Sequence, residues 1–324
     1  MQANSSTGEC SATALDQLDD AVSDFVSIEA ASTRSYQQLH HDALSALHRI
    51  CSAVLDCEEA GCTRDEIVRV LEPVRRIHSR SPFVKRLQSW PRGYPGDYET
   101  VEYIHRAENA APESTIERHC EAYSLNFPIA QQHRNKIRHQ SNAIVRALIA
   151  RRRPRILAIA CGGCPDFREV LPQLERSRAE VWLNDADPSA LEFAARRLAS
   201  IGERLHFEPG NVIQLVRRWM RGPAFHLILA GGLFDYLKDN WAVFLIANAW
   251  KLLSRRGGTF FFTNIAAGNP YRPLIEYVGD WFLIERSKQE LLDLIDRAGV
   301  PREAVSIRLD ETHLAWLVEI TRAV

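Results

Sequence analysis

The first half of the chain carries its apolar residues at helical spacing. One stripe lies between Leu15 and Val26 and a second between Tyr36 and Leu55, with apolar residues recurring every three or four positions. Thr63 followed by Glu66 has the spacing of a capping box, which predicts the start of a third helix. We therefore predict a helical cap or accessory domain over residues 15–150, preceded by a disordered leader over residues 1–14.

From Arg155 onwards, short apolar runs alternate with segments of helical periodicity, which favours a parallel sheet flanked by helices. The predicted strands are Ile156–Ala160, Val181–Asp185, Leu205–Phe207, Phe225–Ala230, Thr259–Asn264, Ala304–Leu309 and Leu314–Ile320. The last two form a hairpin around Asp310-Glu311-Thr312. Residues 151–324 are thus predicted to form a separate α/β domain.

Two glycines follow the first predicted strand directly. Gly162 and Gly163 come right after Ile156–Ala160, where a tight turn exposes backbone N–H groups to a ligand. Asp185 ends the second predicted strand about 20 residues later, where such folds place a carboxylate that binds ribose. The pattern therefore predicts a nucleotide or nucleoside site.

The segment Trp90–Tyr98 interrupts the helical half with two glycines, two prolines and three aromatic residues. Such a composition predicts a loop instead of a regular helix. Two interpretations stay open. The loop is either a structural turn with aromatic residues packed on the core, or it presents Tyr94, Asp97 and Tyr98 over an active site. The second interpretation is reasonable because aromatic ring faces attract sulfonium and ammonium cations.

The helix predicted after Phe127-Pro128 carries four polar residues with two interpretations: Arg134, Asn135, Arg138 and His139. They form either a solvated face or a surface that binds carboxylates, since arginine pairs with such groups through two parallel hydrogen bonds.

The predicted hairpin places an antiparallel strand at the end of a parallel sheet. A Rossmann-like sheet with an antiparallel final strand resembles that of class I S-adenosyl-L-methionine-dependent methyltransferases. The resemblance implies contacts with S-adenosyl-L-methionine from Ala160, Cys161, Gly162 and Gly163 (methionine part and ribose), Asp185 (ribose hydroxyls), Asn211 (adenine amino group), Val212 (adenine ring) and Gly231 (near the transferred carbon). The family's glycine loop is usually richer in glycine and follows an acidic residue, whereas this one follows Ala160.

A narrower resemblance covers most of the chain after the leader. Pro91–Tyr98, Gly232–Leu237 and Ile275–Ile284 are similar to segments of bacterial methyltransferases of 3-hydroxypalmitic acid methyl ester biosynthesis. The same group includes azetidine-2-carboxylate synthases, which cyclise S-adenosylmethionine on itself and release methylthioadenosine. The resemblance implies an enzyme in which a nucleophile attacks a carbon bonded to a sulfonium and the sulfur leaves. The reaction is either methyl transfer to a small acid or related metabolite, or this cyclisation.

Five residues are candidates for the catalytic surroundings. Tyr94, Tyr98 and Tyr236 are expected to line the sulfonium without offering a competing nucleophile, and Asp97 or Asp235 to accept a proton. A carboxylate nucleophile would need no proton acceptor.

Several candidate residues have a second interpretation. Asp187 and Asn211 also suit the N-caps of helices, and Tyr236 also suits the core. Cys161 and Cys164 form a C-x-x-C pair, which raises a thiol–disulfide oxidoreductase as a rival class. A module that binds S-adenosylmethionine without turnover is a further alternative. No second cysteine pair at close spacing completes a zinc site, so no metal is predicted.

Composition narrows the choice of partner. The formal net charge of −1 gives no overall attraction to nucleic acid or to an anionic membrane, so a small-molecule substrate is expected. Seven cysteines without an export signal predict reduced thiols and a cytoplasmic location. The oligomeric state is not predicted.

Overall fold

The computed structural model describes residues 12–29, 35–113 and 115–323. Contacts divide the chain into two compact units. The first comprises the chain up to Phe127 together with Pro270–Phe282, and the second comprises Pro128–Asn269 together with Leu283–Val324. The second unit begins at Pro128, before the predicted boundary at residue 150, and Pro270–Phe282 from the predicted second domain is grouped with the first unit. Of the predicted leader, residues 1–11 lie outside the described residues, and the first helix begins at Ala12.

The first unit is helical, as the apolar stripes predicted. Its helices are α1 (Ala12–Glu29), α2 (Tyr36–Glu59), α3 (Arg64–His78), α4 (Pro82–Ser89), α5 (Tyr98–Arg106) and α6 (Ile116–Asn126), with a π-helical turn at Leu274–Val278. Thr63 and Glu66 form the predicted capping box at the start of α3, with the Thr63 N–H donating to Glu66 Oε2 over 2.8 Å. No helix within the described ranges is long and apolar enough to cross a membrane.

A buried carboxylate organises the interior of the first unit. Glu121 is fully buried and accepts hydrogen bonds from the Ser81 hydroxyl (2.8 Å), the Phe83 N–H (3.1 Å), the Tyr103 hydroxyl (2.6 Å) and the Ala110 N–H (2.7 Å). These donors replace the water that the carboxylate loses on burial. One side chain of α6 thereby ties α4, α5 and the segment after α5 together.

The segment Pro270–Phe282 belongs to the helical unit through ion pairs. Glu58 on α2 pairs with Arg272 and accepts a hydrogen bond from the Tyr277 hydroxyl over 2.6 Å. Arg75 on α3 pairs with Asp280 over 2.6 Å. These contacts explain why the segment leaves the sheet unit in which its sequence position would place it.

Cysteine chemistry differs from the prediction at one position. Cys62 is disulfide-bonded, so the expectation of reduced thiols is wrong there. Cys51, Cys57, Cys120, Cys161 and Cys164 are free thiols.

The second unit is built on a seven-stranded sheet of order β3-β2-β1-β4-β5-β7-β6. Its strands are β1 (Arg155–Ile159), β2 (Glu180–Asp185), β3 (Leu205–Pro209), β4 (Leu227–Ala230), β5 (Gly258–Ile265), β6 (Val305–Leu309) and β7 (Ala315–Arg322). Neighbours from β3 to β5 pair in parallel, whereas β7 runs antiparallel to both β5 and β6. The predicted Rossmann-like sheet with an antiparallel final strand is confirmed.

Helices cover the sheet on both faces. They are α7 (Pro128–Ala150), α8 (Pro165–Glu169), α9 (Leu171–Arg176), α10 (Pro188–Arg197), α11 (Val212–Trp219), α12 (Asp239–Leu252) and α13 (Lys288–Arg297). Successive residues of β1 serve opposite cores: Leu157 and Ile159 pack with α11–α13, while Ile156 and Ala158 pack with α7, α8 and α10. This double burial explains the unbroken apolar run of β1.

Helix α7 belongs to the sheet because both its apolar and its polar side chains are used there. Ile144 is fully buried in the core that contains Ile156. The Asn135 amide donates to Asp310 over 2.8 Å, and His139 lies 3.1 Å from Glu311 in the β6–β7 turn. Part of the predicted polar face therefore contacts carboxylates of the chain's own hairpin.

Candidate active site

The turn after β1 has an unusual backbone. Ala160, Gly162 and Cys164 all have positive φ angles, of 49°, 54° and 54°. The Cys161 N–H donates to the carbonyl of Asn184 over 3.0 Å, which fastens the turn to the end of β2. Positive φ at the two non-glycine residues stores strain, and such strain concentrates at functional sites. Ala160 is exposed and Gly162 half-buried, so the turn is accessible to a ligand.

Asp185 meets this turn directly. One carboxylate oxygen accepts the Gly162 N–H over 2.8 Å, and the other accepts the Asp187 N–H over 2.9 Å. Burial raises the pKa of the Asp185 carboxyl above its ordinary value, while these two N–H bonds act in the opposite direction. Each oxygen keeps a further lone pair for a ligand hydroxyl. The structure thus brings the predicted Gly162 and Asp185 together.

The loop after β3 is tied to the same edge by a residue that the sequence reasoning missed. The buried Asn184 amide donates to the carbonyls of Glu208 (2.8 Å) and Gly210 (2.9 Å). Its position just before Asp185 in a buried strand is the signal that could have revealed it. The exposed Asn211 side chain caps α11 through the Ile213 N–H over 2.9 Å, which agrees with its capping interpretation.

Two further residues named in the sequence analysis, Asp187 and Val212, have a role in the local structure. Asp187 caps α10 by accepting the Ser189 N–H over 2.9 Å. Val212 is buried in the core beneath α11.

The segment after β4 is closely packed at its beginning and open further on. A methyl group on Gly231 would overlap the carboxamide of Gln140 on α7, so a larger residue would displace that side chain. The Gly231 carbonyl accepts the Thr263 hydroxyl over 2.5 Å. Phe234 is fully buried, whereas Tyr236 is 38% exposed. Tyr236 is therefore accessible to a ligand, in contrast to its core interpretation.

Asp235 forms a buried ion pair with Lys136 of α7. The Lys136 ammonium lies 2.8 Å from Asp235 Oδ2, and both residues are 2% exposed. Asp235 Oδ1 accepts the Ile265 N–H at the end of β5 over 2.6 Å. The predicted role of this carboxylate as a proton acceptor would require local opening of the fold, because Asp235 is almost completely buried.

Lys136 was not predicted as a site residue. It lies between Gln132 and Gln140 at four-residue spacing, which places three polar side chains along one line of α7. That spacing is the available signal. Gln132 is fully buried, and its carboxamide has no hydrogen-bond partner among the described residues.

The predicted loop residues of the first unit have defined local partners. Asp97 is buried, caps α5 through the Thr100 N–H over 2.9 Å and pairs with Arg86 over 2.7 Å. Arg92 lies over the Tyr98 ring at 4.9 Å, and Tyr94 is 38% exposed. The approach of Tyr94 and Tyr98 to the β1 turn stays a prediction.

The C-x-x-C pair lies inside the β1 turn. The thiols of Cys161 and Cys164 share a hydrogen bond, and burial raises the pKa of Cys164 well above its ordinary value. Within the described residues, no three His, Cys, Asp or Glu side chains are grouped as metal ligands.

Comparison with known proteins bears on the fold. No protein-family model matches the chain and no curated protein matches its sequence. A possible exported protein from Bordetella parapertussis has 14% identity, covers 100% of both chains and has a TM-score of 0.55. Magnesium protoporphyrin IX methyltransferase from Synechocystis has 13% identity over 61% of this chain and 88% of its own, with a TM-score of 0.46. The N-methyltransferase NodS from Bradyrhizobium japonicum has 13% identity over 69% and 97%, with a TM-score of 0.41.

The fold is the Rossmann-like fold of class I methyltransferases. Strand order, the antiparallel β7 and the helices that precede the sheet all agree with it.

Asp166 gives a prediction for pH-dependent stability. Burial raises the pKa of this carboxyl to about 7. Since the folded-state pKa exceeds the ordinary value of 3.8, the native state favours the protonated form, and stability falls as the pH rises from that value to about 7. We expect Asp166→Asn to exceed the wild type in unfolding free energy by roughly 1–3 kcal/mol at pH 8 and by much less near pH 4. Urea titrations at both pH values measure this. The exposed Asp20→Asn serves as control, and a difference independent of pH would contradict the prediction.

The Lys136–Asp235 pair gives a second prediction. Lys136→Met leaves a buried carboxylate without its cation, which costs roughly 3–5 kcal/mol of unfolding free energy. Adding Asp235→Asn removes the charge but keeps an oxygen for the Ile265 N–H, so we expect the double variant to recover at least half of that loss. Urea unfolding followed by tryptophan fluorescence tests both, with the exposed Lys251→Met as control. A double variant no more stable than Lys136→Met would show that charge burial is not the cause.

Proposed function

We propose that this protein is an S-adenosyl-L-methionine-dependent methyltransferase that acts on a small acid or a related metabolite. The observation that carries the proposal is the contact between the strained β1 turn and Asp185 at the carboxyl edge of a Rossmann-like sheet. Ligands of such sheets bind outside the carboxyl ends of the strands.

The residues at this edge fit the nucleoside of the proposed cofactor. Asp185 would hold the ribose hydroxyls, because its oxygens keep lone pairs after binding Gly162 and Asp187. Asn211 would accept a hydrogen bond from the adenine amino group through Oδ1, the oxygen that also caps α11. Beneath the methionine part and ribose would lie the turn residues Ala160, Cys161, Gly162 and Gly163. Val212 would lie beside the adenine ring, and Gly231 would lie near the transferred carbon.

When bound, the cofactor supplies an electrophilic methyl group on a sulfonium, which is already a good leaving group. The chain therefore has to align the acceptor with the methyl group and to exclude water. Tyr236 is exposed enough to offer its ring face to the cation, and Tyr94 and Tyr98 are proposed to complete this lining.

The state of the two candidate proton acceptors supports an acidic substrate. The carboxylates of Asp97 and Asp235 are both buried in ion pairs, with Arg86 and Lys136 respectively. Because these carboxylates are only 1% and 2% exposed, a substrate that has to lose a proton could reach neither of them without local opening of the fold. A carboxylate acceptor is already deprotonated at neutral pH and needs no such step.

A redox role for the C-x-x-C pair is less well supported. The hydrogen bond with Cys164 acts to lower the pKa of Cys161. Burial and the neighbouring Asp185 and Asp166 act in the opposite direction, and the net pKa lies above its ordinary value. The pKa of Cys164 is also raised. The thiolate is the reactive form of cysteine, and these surroundings disfavour it.

Removal of the Asp185 carboxylate should weaken cofactor binding. We expect Asp185→Ala to raise the dissociation constant of S-adenosyl-L-methionine by about tenfold to a hundredfold, since a charge-assisted hydrogen bond contributes roughly 1.5–3 kcal/mol. Titration calorimetry measures it. Glu180→Ala, at the exposed opposite end of β2, is the matched control. Unchanged affinity in a folded Asp185→Ala protein would remove this residue from the site.

The reaction itself is tested by its products. We expect S-adenosylhomocysteine to form only when an acceptor such as a 3-hydroxy fatty acid is added to protein and S-adenosyl-L-methionine. Chromatography separates S-adenosylhomocysteine from methylthioadenosine, the product of the cyclisation. Methylthioadenosine formed without an acceptor would instead establish the intramolecular cyclisation, and absence of both products with intact binding would indicate a non-catalytic module.

A further inference from the structure

A cavity of about 570 Å³ lies within the sheet unit, and none of the predicted cofactor-binding or catalytic residues lines it. It is lined by the β2 and β3 side chains that face α11, by the last turn of α11 and by the residues that follow it. Its lining includes neither the β1 turn nor Asp185 nor the segment after β4. A volume of this size is typical of small-molecule sites in proteins.

One wall of the cavity is aromatic. Trp182 stacks on His206 at 4.5 Å and meets Phe225 edge-on at 5.3 Å, so its orientation is fixed by its neighbours. Trp182 is only half-buried, which leaves part of its surface to the cavity. A flat apolar ring is the ligand group that such a wall favours.

Two buried polar atoms at the cavity lack partners. The Trp219 indole N–H and Glu208 Oε2 form no hydrogen bond within the described part of the chain, although Trp219 is 4% and Glu208 6% exposed. The other oxygen, Glu208 Oε1, lies 3.2 Å from Arg218. An unsatisfied buried polar group destabilises the folded state, so both atoms favour a bound molecule with one acceptor and one donor.

The cavity also carries positive charge that the chain does not neutralise. Arg217 and Arg221 line it, and neither makes an ion pair or a side-chain hydrogen bond with any residue in the described ranges. Many other arginines of this unit are engaged, for example Arg286 with Asp239 and Arg197 with the Gly163 carbonyl. Two guanidinium groups beside an aromatic wall suit a carboxylate attached to a ring.

We infer that this cavity binds a small aromatic carboxylate that also carries a hydroxyl or amino donor. The ring lies against Trp182 and the carboxylate pairs with Arg217 and Arg221. The donor group of the ligand donates a hydrogen bond to Glu208 Oε2, and an acceptor on the ligand accepts a hydrogen bond from the Trp219 indole N–H. The site is independent of the proposed methyl transfer, because it shares no lining residue with that site.

Titration calorimetry with three matched probes tests this inference on the full-length protein. 6-Hydroxy-2-naphthoate carries ring, carboxylate and donor; 2-naphthoate lacks the donor; 2-naphthol lacks the carboxylate. We expect the first probe to bind most tightly, with at least tenfold weaker binding of 2-naphthol. We expect 2-naphthoate to bind several-fold more weakly than the hydroxylated probe, and Glu208→Gln to reduce that difference.

A charge-matched pair of double variants separates the site from general electrostatics. Arg217→Gln with Arg221→Gln should weaken 6-hydroxy-2-naphthoate at least tenfold. Arg176→Gln with Arg255→Gln removes the same charge from exposed positions outside the cavity and should leave binding unchanged. Equal losses in the two double variants would overturn the inference. Equal binding of 2-naphthol and the hydroxylated probe would do so too, as would no binding of any probe at millimolar concentration.

Discussion

The buried ion pair between Lys136 and Asp235 connects the elements that form the carboxyl edge of the sheet. Through it, α7 is joined to the segment after β4, and the same carboxylate accepts the Ile265 N–H at the end of β5. The Asp235 carbonyl accepts the Ile284 N–H over 2.7 Å, which brings in the returning chain as well. A charge pair in this position is stable only when both partners are present, so these elements depend on one another.

The carboxyl edge gains its binding character from backbone groups as much as from side chains. Gly162 donates its N–H to Asp185, and the Gly210 N–H donates to the Asp185 carbonyl over 2.9 Å. These bonds fix the carboxylate before any ligand arrives, which reduces the ordering that binding requires. The same edge leaves Tyr236 exposed beside the closely packed Gly231.

Carboxylates that are prominent in the sequence are mostly occupied within the fold. Asp97 caps α5 and pairs with Arg86, Asp310 accepts the Asn135 amide, and Glu121 accepts four hydrogen bonds in the helical unit. Asp185 is the predicted one that combines partial exposure with a position beside the strained turn. This contrast is why a reaction that needs no proton acceptor suits the site.

The sequence by itself determined the seven strands, the helix cap at Thr63, and the neighbourhood of Gly162 and Asp185. Those features follow from local periodicity and from the rule that parallel strands end at one edge. The tertiary structure alone decided that Lys136 pairs with Asp235, 99 residues away, and that α7 belongs to the sheet while Pro270–Phe282 belongs to the helices. Such contacts join residues far apart in the chain, so the periodicity around one partner does not reveal which distant residue it contacts.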